Sequence, residues 1–359
     1  MKKLRSLLIG IIVIIIVLVA GAYELNKSTG QAGAKIVNIY NWGDYIDPAL
    51  ITKFEKETGY KVNYETFDSN EAMYTKIQQG GTSYDIAVPS EYMVEKMRND
   101  HLLVKLDKKK LPNLKYIGKE YLNESFDPHN TYSVPYFWGT LGIIYNDKYY
   151  RASDVDTWAK LWNPRFKNQI MFIDGAREFI GIGLSSLGYS LNSTNDKQVE
   201  QAYEKLRSLT PNAKAIVSDE IKMYMVNGES NLAVTYSGEA VDMLSKNKHL
   251  HYVIPEEGTN LWFDNIVIPK GAKNLKGAYA FINFMLRPEN AARNAEYVGY
   301  STPDEGALKL LPKSVTGDKQ FYPSKQQLAK MEVYKNLGPK WLERYNDLFL
   351  ELKMYRNWF

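Results

Sequence analysis

Ile36-Val37-Asn38-Ile39-Tyr40 opens a stretch, closed by Asp85-Ile86-Ala87-Val88, whose order of elements decides the fold. The first run is apolar and rich in β-branched residues, so it reads as a strand. Asp47 is a good N-cap, Pro48 suits a first helical position and Gly59 a helix end, and Leu50, Ile51 and Phe54 fall on one face between them. Lys61-Val62-Asn63-Tyr64-Glu65-Thr66 alternates like a strand. Asp68 or Ser69 caps a second helix, which carries Met73 and Ile77 and stops at Gly80-Gly81. A strand over 85–88 then ends at Pro89. Strand, helix, strand, helix, strand in so short a span argues for a parallel sheet flanked by helices.

The same grammar continues outward. Ile143-Ile144-Tyr145, Ile170 to Ile173, Leu232 to Tyr236, Tyr252 to Ile254 and Trp262 to Ile268 read as strands. Asn195 to Leu209 and Gly277 to Leu286 read as helices. The chain has 359 residues, enough for two medium domains, yet no Pro/Gly-rich linker divides it mid-chain. Domains woven together by crossing strands fit that pattern.

At the N-terminus, the basic Met1-Lys2-Lys3-Leu4-Arg5 precedes an apolar run from Leu7 to Ala22. It reads as a signal anchor or, with Ala20-Gly21-Ala22 as the cleavage site, a cleaved signal peptide over 1–22. The polar, small residues of 23–35 read as a linker. Either way the body is expected outside the cytoplasm, at a cell surface or in a periplasm. The absence of cysteine from the sequence excludes disulfides and thiol chemistry and suits an oxidising exterior.

Catalytic signatures are missing. The sequence has no G-x-x-x-x-G-K-[ST], no G-x-S-x-G and no H-E-x-x-H. Gly181-Ile182-Gly183 lies in an apolar, helix-like run and reads as close packing. His249-x-His251 is a weak metal chelator at most. The net charge of +4 is spread along the chain, which argues against nucleic acid as a partner. No catalytic residue, metal or cofactor is expected.

What stands out is the aromatic content, 27 tyrosines and seven tryptophans, and its placement beside carboxylates at strand ends: Trp42-Gly43-Asp44-Tyr45, Ser90-Glu91-Tyr92 and Trp262-Phe263-Asp264. Taken singly each is also an ordinary amphipathic strand end. Ligands of open parallel sheets bind beyond the carboxyl ends of strands. An aromatic face beside a carboxylate there suits an organic cation.

At these residues the chain resembles the spermidine/putrescine-binding proteins of bacterial ABC importers. The strings that carry the likeness include Tyr40-Asn41-Trp42 with Asp44-Tyr45, Ser69-Asn70-Glu71, Val88-Pro89-Ser90, Ala176-Arg177-Glu178, Trp262 with Asp264, and Gly299-Tyr300 before Thr302-Pro303. The resemblance implies a two-lobed α/β fold of the periplasmic-binding-protein type II class, with a ligand cleft between the lobes. It assigns 36–140 and 262–306 to one lobe and 141–258 and 307–359 to the other. It implies a monomer that captures spermidine or putrescine and hands it to membrane permease subunits served by a cytoplasmic ATPase. Trp42, Tyr45 and Tyr92 match cleft aromatics, and Asp44 and Ser90 match contacts to a terminal amine. Glu178 and Asp264 match carboxylates holding charged nitrogens, with Trp262 beside them. Ser218 and Tyr300 match further cleft positions. Tyr236 stands where the family has tryptophan, Tyr334 where it has glutamine, and Gly175 where some members are acidic. A binding protein for another solute, or a secreted hydrolase using Glu178 and Asp264 as an acid–base pair, is the alternative.

Overall fold

A computed structural model describes residues 35–218 and 220–355. The expected signal over 1–22 and all but the last residue of the expected linker lie outside them. β1 (Ile36–Trp42), β2 (Lys61–Phe67) and β3 (Ile86–Ala87) are parallel. Between them run α1 (Pro48–Thr58) and α2 (Asn70–Gln79). Asp47 caps α1 by accepting from Ala49 N at 2.8 Å, and Gly59 leaves it at φ 73°, a conformation that costs a residue with a side chain. Ser69, not Asp68, caps α2. α3 (Glu91–Asn99) follows β3.

β4 (Ser133–Asn146) is fully buried and holds the molecule together. Its first half pairs with β9 (Leu261–Val267), and its second half, Leu141 to Asn146, with β7 (Leu232–Tyr236) and β8 (Leu250–Val253). β5 (Ile170–Ile173) and β6 (Ala213–Val217) complete the far side, parallel to each other and to β7. Nine strands thus make one sheet, ordered β2-β1-β3-β9-β4-β7-β5-β6 with β8 also on β4, among the described residues. The wholly parallel sheet suggested by the first ninety residues is therefore mixed. β4 and β9 run antiparallel to their neighbours because the chain crosses the middle once outward and once back. Pro135, which has no N–H to offer, sits where the register of β4 slips.

The remaining helices of seven or more residues are α4 (Ala176–Ser185), α5 (Asp196–Leu209), α6 (Glu220–Val226), α7 (Ser237–Lys246), α8 (Leu275–Met285), α9 (Pro288–Val298) and α10 (Pro339–Tyr355). Apolar side chains gather into separate cores on each side of the crossing. One holds Val37, Phe54, Ile86, Phe137, Ile266 and Phe281; another holds Ile143, Trp158, Phe172, Phe179, Leu206 and Tyr345. Gly183 lets α4 lie on α5, since a Cβ there would come within 2.9 Å of Ala202 O. The segment after α9 touches both sides: Ala307 and Leu311 join the first core, and Phe321 and Met331 pack beside Ile221 and Met243.

Gly142, in the second half of β4, faces Tyr252 so closely that a Cβ would stand 2.4 Å from the ring. Overpacking of this kind costs about 1–3 kcal/mol. Gly142→Ala should therefore lower the unfolding free energy by that amount, read as a lower denaturant midpoint with the slope unchanged. An unchanged midpoint would mean that the crossing strand is loosely packed.

Candidate functional site

β9 carries the centre of the site. Strand alternation sends Phe263 and Val267 into the cluster around Tyr40, Met93 and Trp138, and turns Trp262 and Ile266 to the opposite face. Asp264 shares the Trp262 face. It is buried, and it accepts from Tyr45 Oη at 2.5 Å and from Ser90 Oγ at 2.7 Å. Asn70, at the start of α2, donates to Ser90 Oγ and to Tyr92 Oη, both at 3.1 Å. Its own oxygen accepts from Ser90 N at 3.0 Å. Tyr92 Oη in turn donates to Glu71 at 3.2 Å.

Rings wall this centre. Tyr300 meets Trp262 edge-on at 5.0 Å and Tyr45 at 5.4 Å, and Tyr236 meets Trp262 at 6.1 Å. Trp262 reaches this corner because Gly139 on β4 has no side chain; a Cβ there would stand 2.4 Å from the indole. The Trp262 Nε1 is buried without a hydrogen-bond partner among the described residues.

The other side supplies Glu178, in the first turn of α4, where free backbone N–H groups favour a carboxylate. Its carboxyl folds back over Gly175, so that a Cβ at 175 would fall 2.1 Å from Oε2. The Tyr236 hydroxyl favours its charged form, and Tyr92 and Tyr334 both lie in its field. Tyr334 is buried with the Arg177 guanidinium over its ring at 4.2 Å. Glu178, Tyr334 and Asn260 line a small pocket.

Of the twelve residues singled out in the sequence, Tyr45, Ser90, Tyr92, Glu178, Tyr236, Trp262, Asp264, Tyr300 and Tyr334 thus converge. Trp42 stands at the rim, donating to Val88 O at 2.9 Å and packing on Phe67 at 4.5 Å. Asp44 is exposed in the turn after β1, and Ser218 is exposed after β6, its N–H donating to Glu220. Neither joins the network. Asn70 and Glu91 are the residues to which the resemblance gives no role in the site. Glu91 could have been suspected, since Ser90-Glu91-Tyr92 is one of the aromatic–carboxylate runs. Asn70 lies in Ser69-Asn70-Glu71, one of the strings that carry the likeness, but its part, tying Ser90 to Tyr92 across a loop, shows only in the fold. His249 and His251 lie elsewhere, each 3.0 Å from Asp147, and no metal-holding group of three or more such ligands occurs among the described residues.

Three carboxyls therefore share the region, and no lysine or arginine forms an ion pair with Asp264, Glu91 or Glu178 among the described residues. Burial raises Asp264 to about 6, against the pull of Ser90 and Tyr45, and raises Glu178 as well. Burial likewise pushes Glu91 up to about 8. An acid with a raised folded-state pKa binds its proton more tightly when folded. Stability from that proton is lost as pH rises from 3.8 through about 6 for Asp264. The protein stripped of ligand should be less stable than its Asp264→Asn variant at pH 8, by about 3 kcal/mol, with little gap at pH 4. Denaturant titrations at the two pH values measure this. A variant that is the weaker protein at pH 8 would contradict the assignment of a strained carboxylate.

Residues 49–323 match the family model described as bacterial extracellular solute-binding protein. The spermidine/putrescine-binding periplasmic protein of Salmonella typhimurium is 42% identical over 341 residues, 94% of this chain and 98% of that one. The putrescine-binding periplasmic protein of Pseudomonas aeruginosa is 34% identical, over 86% of this chain and 89% of that one. Among solved structures, a putative spermidine/putrescine ABC transporter from Listeria monocytogenes superposes with a TM-score of 0.85 at 61% identity, covering 90% of this chain and 100% of that one. The spermidine/putrescine ABC transporter substrate-binding protein of Streptococcus pneumoniae gives 0.82 at 58%, with the same coverage. The crossing strands, the paired cores and these likenesses lead to one conclusion: the chain belongs to the bacterial extracellular solute-binding proteins and has their two-lobed fold.

Proposed function

We propose that the protein is the polyamine-capturing subunit of an ABC importer, binding spermidine or putrescine between its lobes and passing it to permease subunits without chemical change. The observation that carries this reading is the set of three carboxyls, Asp264 and Glu91 buried and Glu178 half-buried, that form no ion pair with a lysine or arginine among the described residues and are walled by aromatic rings. A sugar would not need such charge, and an anion would be repelled by it. A polyamine supplies what the cleft lacks: ammonium groups for the carboxylates and methylenes for the rings. The names of the relatives support the same ligand class. Asp264, with Ser90 and Tyr45, holds one end, and Glu178 with Tyr236 holds another. Trp42, Tyr92, Trp262, Tyr300 and Tyr334 enclose the chain, while Asp44 and Ser218 contribute at the mouth. The body acts as a monomer outside the cytoplasm, with residues 1–22 as its membrane anchor or signal. Residues 36–140 with 262–306, and 141–258 with 307–359, are the lobes that close, although the start of the last segment, at Ala307 and Leu311, packs on the first lobe.

Spermidine titrated into the purified body should bind without turnover and shrink the radius of gyration seen by X-ray scattering, since both lobes contribute contacts. Removing one partner of a desolvated ion pair costs about 3–5 kcal/mol. Asp264→Asn should accordingly weaken binding by roughly two to three powers of ten. Asp107→Asn, at an exposed charge, should change it by no more than about twofold. Wild-type affinity in a folded Asp264→Asn protein would remove Asp264 from the site.

A further inference from the structure

Glu91 occupies the first position of α3, between Ser90 and Tyr92, and is fully buried. Its Oε2 accepts at 2.9 Å from the backbone N–H of Phe263, the residue between Trp262 and Asp264. Its Oε1 is buried with no hydrogen-bond partner among the described residues. The groups that face it are Asp264 from β9, Arg177 from α4, Tyr92 on its own helix and Tyr334 from the segment before α10. Arg177 sends its terminal nitrogens elsewhere, to Lys335 O, Asn192 Oδ1 and Leu191 O, and makes no ion pair with Glu91, although its Nε has no hydrogen-bond partner among the described residues and its charge favours the ionised acid. A side chain needed only to receive the Phe263 N–H could be a neutral amide. A carboxyl that buries a second, unpaired oxygen is costly unless something brings it a donor or a charge.

We propose that Glu91 is a third carboxylate of the cleft, held as a carboxylic acid in the empty protein and ionised when a polyamine enters, so that uptake of the cation releases one proton to solvent. The inference rests on the polyamine reading above. It balances simply: the acid loses a proton and the carboxylate left behind is neutralised by an ammonium, while Asp264, already mostly ionised at pH 7, adds only a small fraction of a proton. Three carboxylates, Asp264, Glu178 and Glu91, also match the charge of a triamine better than that of a diamine.

The pH of measurement separates the acids. With Asp264 near 6 and Glu91 near 8, Asp264 is mostly ionised at pH 7 while Glu91 still holds its proton. Calorimetric titration with spermidine at pH 7, in two buffers of different ionisation enthalpy, counts the protons released. Wild type should release about one, and its affinity should rise on the order of fiftyfold from pH 6 to pH 7.5. Glu91→Gln keeps an acceptor for Phe263 N–H. It should release almost none, and its affinity should change only about twofold over the same range, the part left to Asp264. Wild type that binds spermidine without releasing a proton overturns the proposal, as does Glu91→Gln that releases as much as wild type. Should Glu91→Gln not fold, Glu178→Gln decides: release retained supports Glu91 as the source, and release lost assigns it to Glu178 instead. Failure of wild type to bind any polyamine is a different result, since it removes the functional reading itself.

Discussion

The carboxyl of Asp264 is buried on a central strand, held by two hydroxyls and paired with no basic side chain of the protein among the described residues. Burial of an acid without a counter-charge is among the more expensive things a fold can do. Here the cost is limited by Tyr45 and Ser90, whose donated hydrogen bonds favour the charged form without overcoming desolvation. The surrounding architecture keeps those two hydroxyls on target. Tyr45 is pinned by its ring contacts with Tyr136, Phe137 and Tyr300, and Ser90 by Asn70. The fold thus carries at its centre a buried acid whose desolvation two hydroxyls only partly offset.

The crossing strands explain how one chain brings this about. β4 runs through both halves, and β9 returns beside it, so residues from the two sides converge at the crossing. Asp264 and Trp262 come from the return strand, Glu178 from a helix of the far side, and Tyr92 from a helix of the near side. The glycines of β4 face this region directly: Gly139 makes room for Trp262, and Gly142 for Tyr252. Tyr252 then donates back to Thr140 O at 3.0 Å, locking the middle of the crossing strand. Rigid strands at the centre with separate cores on either side leave two bodies whose relative tilt can respond to what lies between them.

Much of this was legible in the sequence because local rules and tertiary structure agree there. Asp47, Pro48 and Gly59 announce α1 to the residue, and Ile170 to Ile173 and Leu232 to Tyr236 emerge as strands with the expected bounds. β4 was harder. Its fourteen residues include Pro135, Gly139 and Gly142, which read locally as breaks and only make sense when β9 and Tyr252 are packed against them. The antiparallel crossings were invisible for the same reason, since pairing partners lie roughly ninety residues apart or more. At the site, the aromatic–carboxylate runs on strand ends pointed to Trp262 and Asp264. The resemblance supplied Glu178, Tyr300 and Tyr334, which no local pattern marks. Glu91 lay in plain view, but its significance depends on total burial and a bare oxygen, and neither is a property of sequence.

The claim at the centre is that the cleft carboxyls are ionised by the cation they bind. Carbon-detected NMR of the labelled carboxyl of Asp264, titrated from pH 4 to pH 8 with and without saturating spermidine, tests it at the atom concerned. The account predicts a midpoint near 6 in the ligand-free protein and one well below the ordinary aspartate value once spermidine is bound, because a nearby positive charge favours the carboxylate. The same midpoint in both states would contradict it.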